Sequence, residues 1–239
     1  MNVSKTMIPI CFLMLFAVSC SKNSTEPEII GEPDQLVLIN IQPINLQSIE
    51  NGKATIRSVL SIDGSVVADT LPSIESVTVN DSTFLIESDF ALGAITFSMI
   101  YDEEVSSIEN IDIEVKTSIG TLSGSIANPD TISNIAFNPA LPIQPNQQLT
   151  VTWDKGNVQY YRFTLFSRRS YLNEIVTTNK ITIPASQFQS NGTYQLAICG
   201  VNGPVPQEGA EGNMGGVGAG FLYFTNNYQY FDITVDDQN

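Results

Sequence analysis

The chain reads as all-β, a pair of tandem antiparallel β-sandwiches, on three observations. Helical periodicity is missing beyond the first twenty residues, short β-branched or aromatic runs take its place, and turn-forming pairs separate those runs. The breaks are Asn51-Gly52, Asp63-Gly64, Asn80-Asp81, Lys155-Gly156-Asn157 and Asn191-Gly192. Asn-Gly and Asp-Gly supply the positive φ angles that tight hairpins require, so each break predicts a reversal of the chain.

The first element is MNVSKTMIPICFLMLFAVSC, with one early cation, Lys5, an apolar run over 8–18, and the small Ser19 before Cys20. That order is the grammar of a secretory leader, and the run is too short to cross a hydrocarbon core of about 30 Å. The ending Ala17-Val18-Ser19-Cys20 resembles the lipobox of bacterial lipoproteins, with Ala where Leu is commoner. The resemblance implies a signal peptide over 1–19, cleavage before Cys20, and diacylglycerol plus an N-acyl group on that cysteine. Lasting membrane residence needs at least two acyl chains, at about 0.8 kcal/mol per buried methylene. Residues 20–35 continue with acids, prolines and no apolar rhythm, a composition that cannot offset its ordering entropy and predicts a tether. Ser21 stands where some bacteria place an Asp as an inner-membrane retention signal, so the expected membrane is the outer one.

The first sandwich is expected over 36–128. Its strands are predicted at 36–41, 54–62, 74–79, 83–87, 94–101, 108–116 and 120–126. In Ile111-Asp-Ile-Glu-Val115 apolar and acidic residues alternate, which sends one face to a core and the other to water. The stretch 128–145, carrying Pro129, Pro139, Pro142 and Pro145, predicts a boundary.

The second sandwich is expected over 132–239. Leu149, Val151 and Trp153 share one face, and Tyr161, Phe163 and Leu165 repeat the pattern after a turn. Ile181-Thr-Ile183, Phe188 and Gly192-Thr-Tyr194-Gln-Leu196-Ala-Ile198 follow. This order resembles a fibronectin type III or related immunoglobulin-like domain. The resemblance implies that Trp153 is the central core residue and Tyr194 the corner tyrosine, and that the final strand, taken as 221–224, follows an enlarged loop.

That loop crowds Gly209, Gly212, Gly215, Gly216, Gly218 and Gly220 together. The spacing of 216, 218 and 220 departs from the dinucleotide fingerprint, and Gly-Lys-Ser/Thr is missing, so the phosphate reading fails. Either the glycines let the loop fold against a sheet edge, or Glu208, Glu211, Asn213 and Met214 form a recognition surface.

Charge bounds the partners. With 25 acidic and 10 basic residues and a net charge of -15, the chain lacks the basic footprint of a nucleic-acid binder. It contains no histidine, which removes imidazole bases, Ser-His-Asp triads and His-metal sites. Cys199 has no thiol to pair with once Cys11 leaves and Cys20 is acylated, and reads as a small half-buried hydrophobe. Asp102, Glu103, Glu104, Glu109 and Asp112 read as a solvated acidic turn, with calcium as the alternative; no metal ligand and no cofactor beyond the acyl groups is assigned. Tyr160, Tyr171, Tyr223, Tyr228 and Tyr230 either pack across strands or stack on sugars. The function expected from these residues is non-catalytic: an envelope lipoprotein, membrane-attached through Cys20, that binds or scaffolds a protein or glycan through its loops. The alternatives are a carbohydrate-binding or adhesin module, then a glycan-active enzyme built on two carboxylates.

Overall fold

The computed structural model describes residues 35–50, 53–68, 72–91, 93–168, 170–207 and 209–237. The leader, Cys20 and most of the tether lie outside them. Among the described residues the chain is all-β, and its sheets stack as sandwiches. The strands are β1 (Leu36–Glu50), β2 (Lys53–Val67), β3 (Ile74–Val79), β4 (Ser82–Phe84), β5 (Asp89–Ala91), β6 (Ala94–Tyr101), β7 (Asn110–Thr117), β8 (Thr121–Ala127) and β9 (Ala136–Asn138). They continue with β10 (Leu149–Thr152), β11 (Tyr160–Phe166), β12 (Tyr171–Val176), β13 (Lys180–Ile183), β14 (Gly192–Asn202), β15 (Gly215–Gly216), β16 (Ala219–Thr225) and β17 (Gln229–Val235).

One nine-stranded sheet runs through both sandwiches in the order β12-β11-β14-β16-β1-β2-β6-β5, with β17 also paired to β14. The sheet β15-β8-β7-β3-β4 covers one half and β13-β10-β9 covers the other. Period-two patterning decides which side chains go inward. On β1, Val37, Ile39 and Ile41 are fully buried, and on β7 Ile111, Ile113 and Val115 meet them in the same core. Between the β13-β10-β9 sheet and strands β11, β14 and β17 the second core gathers Leu149, Val151, Trp153, Phe163, Phe188 and Leu196.

Two residues hold the positions that the immunoglobulin-like resemblance implies. Trp153 is buried and packs edge-on against Tyr161 at 5.0 Å between ring centroids. The Tyr194 hydroxyl donates to the Ser190 carbonyl at 3.1 Å, closing the corner before β14.

The structure corrects the expected course of the chain at three places. Residues 221–224 are not the final strand of the second sandwich; they belong to β16, which pairs in parallel with β1 and sends Leu222 and Phe224 into the first core. The final strand is β17, and the stretch between β14 and β17 is an excursion into the other sandwich. The limits 36–128 and 132–239 therefore divide the sequence but not the sheet, and Pro33–Asn239 forms a single compact unit. Asp63-Gly64 is not a turn. It lies inside β2, where a Cβ on Gly64 would stand 2.2 Å from the Phe97 ring, so glycine lets that ring cross the backbone. Asn80-Asp81 does turn the chain, with Asn80 at φ 48 between the paired Val79 and Ser82.

Polar groups hold the junction. The buried Asn202 at the end of β14 donates to the Ala127 carbonyl at 2.9 Å and the Asn157 carbonyl at 3.3 Å, and accepts from the Gln159 amide at 3.0 Å. Asn226 donates to the carbonyl of Pro129, tying the end of β16 to the connection between the two cores. These bonds give the buried Asn202 and Asn226 side chains their partners, which favours one arrangement of the sheets.

Candidate functional site

The glycine-rich stretch seals an edge of the first sandwich. Met214 bridges backbone to backbone with Gly220, and Gly215-Gly216 pairs with β8, so the turn passes from one sheet to the facing one. Backbones meet so closely there that side chains are excluded. A Cβ on Gly212 would lie 2.3 Å from the Gly220 carbonyl oxygen, and one on Gly218, at φ 105, 2.3 Å from that of Gln35. Gln35, fully buried, donates to the Val217 carbonyl at 2.9 Å and accepts from the Thr117 hydroxyl at 2.8 Å.

Of the four residues expected to form a recognition surface here, Glu208 lies outside the described residues. Glu211 is exposed. The Asn213 amide is bound on both sides to Leu222, accepting from its N–H at 2.7 Å and donating to its carbonyl at 2.9 Å. Met214 is 7% exposed and belongs to the first core, so it is not a surface contact. The reason is the parallel pairing of β16 with β1, which draws the preceding turn over the sandwich edge.

A different surface gathers the aromatic residues. In the register of β12, β11, β14 and β17, one row across the sheet is Asn173, Thr164, Ala197 and Tyr230, and the next is Tyr171, Phe166, Gln195 and Asp232. Phe163, Leu196 and Ile233 face the core, so both rows face outward. Tyr171 is 70% exposed and Tyr230 60% exposed. Tyr228 lies beside Tyr230, with ring centroids 6.2 Å apart and the planes inclined at 38°. At about 4.8 Å per strand, the platform from β12 to β17 is about 14 Å wide.

At one end the platform meets a small third core. Tyr160, Cys199 and Val201 are fully buried there beneath Val205 and Tyr223. Tyr160 is thus not an exposed aromatic, and Cys199 is not half-buried. Both point to the outer side of the great sheet, but the chain leaving β14 folds back over them. Burial pushes the Cys199 thiol up to about 11 and the Tyr160 hydroxyl up to about 12, so both stay protonated at neutral pH. Tyr228 keeps an open ring face while its hydroxyl lies against Cys199 and Arg162; burial of that hydroxyl, and then the neighbouring thiol, push it upward. The ring is therefore held from below.

A polar-walled cleft of about 640 Å³ opens where the sandwiches meet, lined by Glu104, Glu109, Asn128, Asp130 and Asn226 among others. In the acidic turn next to it, Asp102 pairs with Arg57. Among the described residues no three Asp, Glu, Cys or His side chains converge as metal ligands. The sequence offered Tyr171, Tyr228 and Tyr230 as candidates but not the face they share, because that face depends on the pairing of the β11–β12 hairpin and β17 with β14. The available signal was the alternation Tyr228, Tyr230, Asp232, out of phase with the core residues Ile233 and Val235.

No protein-family model matches the chain, and no curated protein matches it. Among solved structures it is similar to FN3tt, at 18% identity over 45% of this chain and 95% of that one, with a TM-score of 0.30. It is similar to the beta-1,2-glucanase of Parabacteroides distasonis at 9% identity and a TM-score of 0.27, over 87% of this chain and 38% of that one. The human OSCAR ligand-binding domain aligns at 7% identity over 80% of this chain and 98% of that one, with a TM-score of 0.24.

Proposed function

We propose that this chain is a lipid-anchored, non-catalytic binding protein of the bacterial cell envelope, held to the membrane through Cys20 and presenting the outer face of β11, β12, β14 and β17 to its partner. The observation that carries the binding role is the set of open aromatic rings on a face whose neighbouring strands are fixed in one continuous sheet. Large exposed apolar rings cost solvation without contributing to either core, and such patches mark contact surfaces. Support for the anchor comes from the leader and the Ala17-Val18-Ser19-Cys20 ending. The outer membrane is the proposed location, on the evidence of Ser21.

The test is fractionation and protease digestion of intact bacterial cells making the protein, beside a Cys20→Ala variant. The wild-type chain is expected in the membrane fraction and the variant in the soluble fraction. A Cys20→Ala protein that stays membrane-bound would overturn the anchor. Digestion of the wild type in intact cells would assign the platform to the cell surface, and protection until the envelope is breached would assign it to the periplasm.

A further inference from the structure

We propose that the platform formed by β11, β12, β14 and β17 binds a neutral oligosaccharide, covering about three sugar units. The proposal rests on the binding role argued above and names the ligand class of that face. Its chemistry is amphipathic: the exposed rings are Tyr171 on β12, Phe166 on β11, Tyr230 on β17 and Tyr228 just before β17, and polar side chains of β11, β12 and β14 form part of the floor between them. In the floor the Thr164 hydroxyl donates to the Asn173 side-chain oxygen at 3.2 Å, Gln195 is half-buried in the adjoining row, and Arg162 lies in the row beyond.

A pyranose ring has C–H faces that stack on aromatic rings and a rim of hydroxyls that need donors and acceptors, so it uses both parts at once. An apolar protein surface laid over this face would strip water from Thr164, Asn173, Gln195 and Arg162 without replacing it. Charge narrows the class further. The chain carries a net charge of -15, and Asp232 stands on the platform itself, so a polyanionic glycan is repelled. The width of about 14 Å, three strand spacings of about 4.8 Å, accommodates about three sugar units of roughly 5 Å each.

The experiment measures binding of the full-length protein in detergent micelles to cellohexaose, laminarihexaose, xylohexaose and mannohexaose by calorimetry, with hyaluronan as the anionic probe. At least one neutral hexaose is expected to bind, with Tyr230→Ala and Tyr171→Ala each weakening it about tenfold, Tyr230→Phe retaining it, and Glu211→Ala leaving it unchanged. Both alanine variants remove exposed rings and are expected to unfold at the wild-type temperature, so a loss of binding reads the contact. Failure of every neutral hexaose to bind, binding that survives both alanine substitutions, or preferential binding of hyaluronan overturns the proposal. A benzophenone-bearing amino acid at position 230, photolysed in intact cells, separates the two levels of failure. A crosslink to an envelope protein without sugar binding overturns the glycan and keeps the binding role, whereas neither crosslink nor sugar binding overturns both.

Discussion

Replacing Phe224 by alanine tests whether the late excursion into the first sandwich supports the whole molecule. Phe224 is fully buried in the first core although β14 and β17, the strands that flank the excursion, line the second. Removing the ring takes roughly 100 Å² of apolar surface out of the core, worth about 2.5 kcal/mol at about 25 cal/mol per Å². The unfilled space raises the expected cost to about 3–5 kcal/mol. For a unit of this size that lowers Tm by roughly 6–20 °C. The assay is urea unfolding followed by two probes. Circular dichroism reports all the strands, and fluorescence reports Trp153, the chain's one tryptophan, which lies in the second core. Because β14 and β16 pair within one sheet, the Trp153 transition is expected to move with the dichroism to lower urea. A Trp153 midpoint that stays in place would refute energetic coupling between the sandwiches, and a total loss below about 1 kcal/mol would refute the placement of Phe224.

Asn202→Ala leaves the Ala127 and Asn157 carbonyls and the Gln159 amide without that partner, and is expected to cost about 1–3 kcal/mol in the same assay. Cys199 is expected to resist iodoacetamide in the native protein at pH 8 and to react on unfolding, as peptide mass spectrometry would show. The folded thiol keeps its proton to about 11, whereas an unfolded one titrates near 9.0. Between those values the folded state binds more protons, so stability falls as pH rises, by about 1.4 kcal/mol per unit from this group. Cys199→Ala is expected to flatten that part of the stability profile measured by urea unfolding between pH 8 and 11, and an unchanged slope would refute the assignment.

Local pattern carried much of the fold to the surface of the sequence, and pairing across long intervals did not. The alternation in Ile111-Asp-Ile-Glu-Val115 places β7 correctly because a half-buried strand has only one way to sort such residues. Trp153 and Tyr194 are legible for a similar reason, since their roles depend on positions a few residues away. The strand 219–225 buries alternate residues, but Phe221-Leu-Tyr-Phe224 is aromatic or apolar throughout, nothing in it specifies a partner near residue 36, and proximity in sequence favours the wrong sandwich. Glycine misleads in a related way. Gly64 reads as a break, yet it lies in a strand, where a Cβ would strike Phe97. A glycine kept for close approach looks, in one sequence, like a glycine kept for a turn. The shared face of Tyr171, Phe166 and Tyr230 was hidden by the same circumstance, because it exists only after β11, β12, β14 and β17 are in register.

The insertion of β16 between β14 and β1 also sets where the platform stands. Gln35, the first described residue after the tether, lies beside Ala219 at the start of β16. From there β16 runs to Thr225 opposite Val201, and β17 continues along the same side of β14 to place Tyr230 opposite Ala197. At about 3.4 Å per residue, the path along the sheet from Gln35 to Tyr230 is about 34 Å. Gln35 and the aromatic end of this unit are then far apart along one sheet. Two sandwiches joined by a flexible linker would let that distance collapse, and each binding event would have to restrict the linker. A shared sheet clamped by Asn202 and Asn226 has already restricted it on folding, so the platform meets a partner without that ordering cost.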